Sequence, residues 1–301
     1  MVWLFVALAA FSLFAATALI DKFLLAEKLD DPGIYAFYVG ILSAGALLLL
    51  PFGFWANPAP PLFLLASFAG AAQIYGDYFY FSALKRMEAS RAVPAVGSLT
   101  PICVFFFTAA VSGGAAVLGA KELVGFSLLI AGGWLVMARG VSIKKEGLFF
   151  VLTAPLFFAA NVVLAKLVYL QLPFLNGFLL MAFGSAAAAI TFLLSKSVRQ
   201  AVFHSRRNKR HQPNFLFFLG QGLGGAAFLT QSFAVFLAPQ ASVPAINAMA
   251  GVQYVLIFIF SLVLARRWPG VFAVKITPAD LAQKIIAILL IAAGLAVFIL
   301  G

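Results

Sequence analysis

The sequence predicts an all-α integral membrane protein of ten transmembrane helices arranged as two inverted five-helix repeats, and three observations carry that prediction. First, the 301 residues are 64% apolar and only 10% charged, with a mean hydropathy of +1.08. The apolar share of a soluble chain is roughly half, so too little polar surface is left here to coat a globule. Second, the apolar residues form ten runs long enough to cross ~30 Å of hydrocarbon, which takes ~20 helical residues. Third, eighteen of the twenty Lys and Arg residues lie in, or within about a turn of, every second gap between those runs.

The runs cover approximately 2–21, 34–54, 61–83, 92–111, 119–138, 147–170, 174–195, 215–237, 241–264 and 281–300. None shows the strict apolar/polar alternation of a membrane β-barrel strand, so helices are the spanning structure. The gaps then sort the charge. Gap one holds Lys22 and Lys28, gap three Lys85, Arg86 and Arg91, and gap five Arg139, Lys144 and Lys145. Gap seven holds Lys196, Arg199, Arg206, Arg207, Lys209 and Arg210, and gap nine Arg266, Arg267 and Lys275, with Lys284 just inside the tenth run that follows it. Beside the even gaps stands only Lys121, at the start of the fifth run, and Lys166 falls inside the sixth run. Basic loops stay in the cytoplasm, so the odd gaps are predicted there and both termini outside. The first run has no basic residue before Lys22, which argues against a cleaved signal and its positive n-region.

A net charge of +11 and a pI near 10.0 would suggest nucleic acid in a soluble chain. Here the charge sits in short loops, where it sets topology and attracts anionic lipid headgroups. No nucleic-acid partner is expected, even at the dense stretch 204–211, the longest gap and the one expected to be flexible. The single Cys103 permits no disulfide within one chain.

The runs also repeat. Residues 14–22 (FAATALIDK) match 158–166 (FAANVVLAK) at an offset of 144, and 93–96 (VPAV) match 243–246 (VPAI) at an offset of 150. The chain therefore divides into halves, 1–143 and 144–301. Five runs per half put equivalent gaps on opposite faces, and the basic bias does reverse between the halves, as an inverted pair requires. Inverted repeats are typical of secondary transporters, whose substrate site lies near the midplane where the halves meet.

At this level of detail the sequence resembles the drug/metabolite transporter superfamily, specifically its EamA-type ten-helix members. The resemblance is carried by 81–92 (FSALKRMEASRA), Leu99-Thr100-Pro101-Ile102, the stretch 125–137 with Ala131-Gly132-Gly133, and in the second half 230–264 and the Gly-containing run 285–300. It covers nearly the whole chain through diffuse motifs. What it implies is a permease or exporter of a small organic metabolite such as an amino acid, with nucleotide sugars or drugs as alternatives. Two departures stand out. The Gly-Glu pair that the family often carries between spans four and five is replaced by 113–119 (GGAAVLG). Family members also generally keep both termini in the cytoplasm, the reverse of the charge bias here.

Polar side chains in hydrocarbon are costly and usually face a bundle interior or a cavity. Asp77 is the one acid clearly inside a run, and Gln73, four residues earlier, shares its helical face. The pair is read either as a proton or substrate-amine site, with Asp77 as the coupling residue, or as a hydrogen-bonded packing pair with Tyr75, Tyr78 and Tyr80 as phenol partners. Asn161 is a cavity candidate. Lys166 either meets an anionic group or snorkels to the headgroups. In the second half Gln221, Gln253, and the face formed by Asn247, Gly251 and Tyr254 are candidates for a polar cavity or for interhelical bonding. Pro94 and Pro244 recur in the two halves and are expected to bend their helices for gating. The Gly-rich 220–225 (GQGLGG) lacks the strand context of a dinucleotide loop and reads as helix packing.

Alternating access is thus the expected mechanism. An integral membrane enzyme would need clustered His, acid, Ser or metal ligands, yet both His residues lie in gap seven. No Walker A sequence is present, and no cofactor or metal is expected. A non-transporting scaffold is the remaining alternative. The expected partners are a small-molecule substrate and the lipid bilayer, with the chain a monomer or a homodimer.

Overall fold

A computed structural model of the chain describes residues 2–25, 31–52, 58–86, 89–115, 118–135, 145–204, 215–265 and 278–300. These residues form helices and turns, with no strand among them. In chain order the helices are α1 (Val2–Leu25), α2 (Pro32–Ser43), α3 (Pro60–Arg86), α4 (Ala89–Val111), α5 (Ala120–Leu135), α6 (Lys145–Tyr169), α7 (Phe174–Thr191), α8 (Lys196–His204), α9 (Phe215–Leu237), α10 (Val243–Ala248), α11 (Ala250–Ala265) and α12 (Pro278–Leu300).

Among the described residues, five stretches are long and apolar enough to cross a membrane, at Val2–Ile20, Gly147–Tyr169, Phe174–Leu194, Gln240–Phe260 and Ala279–Ile299. Shorter apolar helices lie at Pro32–Leu48 and Ala95–Val111. Large apolar side chains such as Phe5, Phe68, Phe106 and Leu289 point outward, as expected where lipid is the solvent.

Several helix ends have a local cause. The Asp31 carboxylate accepts the Gly33 N–H at 2.8 Å, and Pro32 follows in the first turn, so α2 begins with a side-chain cap and a residue that loses nothing there. Glu122 folds back to accept the Gly119 N–H at 2.7 Å, half of a capping box for α5. α4 ends in a pair of left-handed glycines, Gly113 (φ 60) and Gly114 (φ 82). The Gly114 N–H returns to the Ala109 carbonyl at 2.9 Å and the Gly113 N–H to Ala110 at 3.3 Å, a Schellman cap that side chains with a Cβ would resist. At the far end of α5, Gln283 of α12 donates to the Leu135 carbonyl at 2.6 Å.

Three elements differ from the sequence expectation. The second run is α-helical only to Ser43 and continues as 3₁₀ helix over Ala44–Phe52. The ninth run is broken: a 3₁₀ turn at Gln240–Ser242, then α10, then a turn at Met249 before α11. Gap seven is partly ordered as α8, whose Val198 is buried against Ile34 and Phe37 of α2. The remainder of that gap, 205–214, lies outside the described residues.

The helices pack in a recurring pattern. The most extensive interfaces are α3 with α6, α1 with α9, and α5 with α12, followed by α3 with α7 and α4 with α6. Small residues permit the closest of these. A Cβ at Gly70 would lie 1.9 Å from the Met181 carbonyl oxygen, and one at Gly184 would lie 2.4 Å from the Ser67 carbonyl oxygen, so α3 and α7 touch backbone to backbone. Gly125 and Gly294 do the same for α5 and α12.

Candidate functional site

Three polar side chains meet along one stripe of α3. The Gln73 amide nitrogen donates to both oxygens of Asp77, at 3.2 and 3.3 Å, and both side chains are half-buried. The spacing of four puts them on consecutive turns of one face. One turn before Gln73, the Ala69 carbonyl receives the Asn161 amide of α6 at 2.9 Å. One turn beyond Asp77, the Phe81 ring meets Tyr35 of α2 edge-on, with centroids 4.3 Å apart. Asn161, Gln73 and Asp77 thus form a polar ladder along α3, with an aromatic pair beyond it.

Tyr75 lies off this ladder. Two residues from Gln73 is about 200° around the helix, and there its hydroxyl pairs with Thr191 of α7 at 2.8 Å while its ring touches Phe157 and Phe192. It belongs to the interface that holds α3, α6 and α7 together, not to the Asp77 face.

Asn161 is 4% exposed and its amide is engaged by Ala69, which makes it a helix-packing residue at the edge of the ladder. Asn161→Ala is therefore expected to lower stability by about 1 kcal/mol through the lost interhelical hydrogen bond and packing, while the Ala69 carbonyl keeps its bond within α3; thermal unfolding in detergent measures it. Asn247 is also buried, and its amide turns back to the Val243 carbonyl at 3.3 Å within α10. Tyr254 crosses from α11 to α4: its hydroxyl fills the position a Cβ on Gly97 would occupy, 1.5 Å away. Those two contacts hold the broken ninth run in place. Gln253 stands half-buried on α11.

Gln221 of α9 donates to the Tyr35 hydroxyl at 2.6 Å. This bond joins the second half of the chain to the first, beside the Phe81 ring. Tyr35 was not apparent as a site residue in the sequence, since an aromatic one turn into an apolar run reads as ordinary packing. The Asp31-Pro32-Gly33 helix start was the available signal, because it fixes which face of α2 carries position 35.

Lys166 does not snorkel to the headgroups. Among the described residues its ammonium meets no carboxylate; it is 5% exposed and donates to the Phe236 and Ala238 carbonyls at 3.1 and 2.5 Å. Those carbonyls end α9, so the lysine caps a helix C-terminus from another helix. Pro244 stands in the first turn of α10, where proline is tolerated. The bend of the ninth span falls at Met249, not at the proline, because a first-turn proline has no intrahelical bond to remove. Pro94 lies within α4, and its ring is outside the described side chains.

A groove of about 460 Å³ runs along the outer face of α5, past Leu123, Ser127 and Trp134. It is lined by one helix and faces outward, away from the α3 ladder.

No protein-family model and no curated relative matches the chain. Among solved structures, one crystal structure of a protein aligns over 99% of this chain and 98% of its own, with a TM-score of 0.71 and 19% sequence identity. That likeness is one of fold, and it extends across the whole chain.

Proposed function

We propose that the chain is a secondary transporter of a small organic metabolite, crossing the membrane ten times as two inverted five-helix repeats and working by alternating access. The observation that carries this reading is the pairing of helices. Exchanging the halves sends α1 to α6 and α3 to α9, so the α1–α9 interface should have α3–α6 as its counterpart, and these are two of the most extensive contacts in the bundle. The exchange sends α5 to α12, and those two pack on each other. It also relates Thr17 to Asn161. Thr17 of α1 lies against Gly224 of α9, as Asn161 of α6 lies against Ala69 of α3.

The Gln73–Asp77 pair supplies the polar centre of this reading. Asp77 is nine residues from the end of α3, about 13 Å at 1.5 Å per residue, which puts it well inside a membrane-spanning helix. A carboxylate at that depth serves a solute amine or a proton. The amide of Gln73 orients it. The resemblance to EamA-type permeases favours amino acids and related metabolites as the solute, and the basic bias of the odd gaps puts those loops in the cytoplasm.

Reconstitution into liposomes with labelled amino acids, nucleotide sugars and cationic drugs tests the proposal. At least one solute should enter protein-containing vesicles faster than empty ones, and Asp77→Asn should slow that uptake at least tenfold. Uptake no faster than in empty vesicles for the whole panel sinks the transporter reading; unchanged uptake by Asp77→Asn across pH sinks the role of that carboxylate.

A further inference from the structure

The exchange of halves leaves one of the most extensive interfaces without an equally extensive counterpart. α3 and α7 are joined backbone to backbone through Gly70 and Gly184, and the Ser185 hydroxyl adds a bond to the Gly70 carbonyl at 2.9 Å. The exchange maps this pair onto α9 and α2. Among the described residues, those two helices form no extensive interface, and a 2.6 Å bond from Gln221 to the Tyr35 hydroxyl links them.

The position of that bond matters. Tyr35 is the fourth residue of α2, Gln221 the seventh of α9, and Phe81 the sixth from the end of α3. All three therefore lie near the end of the bundle that bears the odd, basic gaps. Asp77 lies one turn deeper than Phe81, about 6 Å further in. The Tyr35 ring is 2% exposed and packs on Phe81, Ile20 and Val39. It lies at the level of Phe81, on the basic-end side of the Asp77 turn.

α2 is also held from its other side. Ile34 and Phe37 receive Val198 of α8, and the Ser197 hydroxyl donates to Asp31 at 3.2 Å. α8 thus travels with the start of α2, while Tyr35 faces α9. An interface of interlocked backbones resists separation along its whole length; one side-chain hydrogen bond does not.

Resting on the transporter reading, we propose that the Tyr35–Gln221 bond is the latch of the gate at the basic end, and that the first turns of α2, carrying α8, swing away from α9 when it opens. The latch governs access to Asp77 from that end, whereas the glycine-joined α3–α7 interface remains closed in the same movement.

Two measurements in a Cys103→Ala background test it. Spin labels at Ile41→Cys on α2 and Leu219→Cys on α9 report the interhelical distance whether or not any solute is known. One dominant distance is expected, with a longer population growing roughly three- to tenfold when Tyr35→Phe or Gln221→Met removes the bond. The double variant should grow it no further than either single one. An unchanged distribution, or two effects that simply multiply, overturns the latch. With a transported solute in hand, a short thiol crosslinker between Tyr35→Cys and Gln221→Cys should abolish uptake, and its reduction should restore it. Crosslinked protein that still transports overturns the proposal but leaves the transporter reading standing. A chain that moves no solute removes that reading, while the distance measurement still decides the latch.

Discussion

Gly70→Val is expected to cost about 3 kcal/mol or more, enough to prevent the purified protein from eluting as a single species in detergent. The added Cβ would lie 1.9 Å from the Met181 carbonyl oxygen and 2.6 Å from the Ser185 nitrogen, and both are backbone atoms that cannot rotate away. α3 and α7 would have to separate. That movement would also break the bond from the Ser185 hydroxyl to the Gly70 carbonyl. Overpacking a filled interior typically costs 1–3 kcal/mol, and the upper end applies where relief requires a whole helix to shift. Gly222→Val on α9 is the control, because nothing lies within 4 Å of a Cβ there. Size-exclusion profiles and thermal unfolding of the two variants check this, and equal behaviour would show that the α3–α7 contact does not hold the bundle together.

Lys166→Met should destabilise the protein by about 2 kcal/mol. Two effects oppose each other. Removing a buried ammonium relieves its desolvation penalty, but it strips the Phe236 and Ala238 carbonyls of a charged donor, and bonds to charged groups are worth about 1.5–3 kcal/mol each. The orphaned groups are neutral, so the loss stays well below that of leaving a buried charge unpaired. The damage should concentrate at the junction of α9 with the 3₁₀ turn at Gln240–Ser242. Faster limited proteolysis at 238–242, together with a lower unfolding temperature, is the expected signature. A variant as stable as the parent would mean that relief of desolvation balances the lost cap.

The long helices were legible because hydropathy is a one-dimensional signal. α9 has the bounds 215–237 expected of it, and α3, α4, α6 and α12 differ from expectation by at most a few residues. α8 was hidden because Val198, Ala201 and Val202 alternate with Lys196, Arg199 and Gln200, so the stretch averages to a polar gap. The break at Met249 lies in an uninterrupted apolar run, where nothing local marks it. For the polar residues the sequence identified the costly side chains but not their partners. Gln73 and Asp77 are neighbours on one helix, so their pairing followed from spacing. Gln221 with Tyr35, Lys166 with the end of α9, and Tyr254 with Gly97 are meetings of distant segments, set by how helices cross.

The 3₁₀ stretch at Ala44–Phe52 gives the second apolar run an unusual mechanical character. Twelve α-helical residues and nine 3₁₀ residues reach about 36 Å, more than a bilayer core needs. Rewinding those nine residues as α-helix would shorten the span by about 4.5 Å without a hinge anywhere along it. Because 3₁₀ hydrogen bonds are the poorer ones, this is the segment with length to give up: a spring at the far end of the same helix whose first turns bind Gln221.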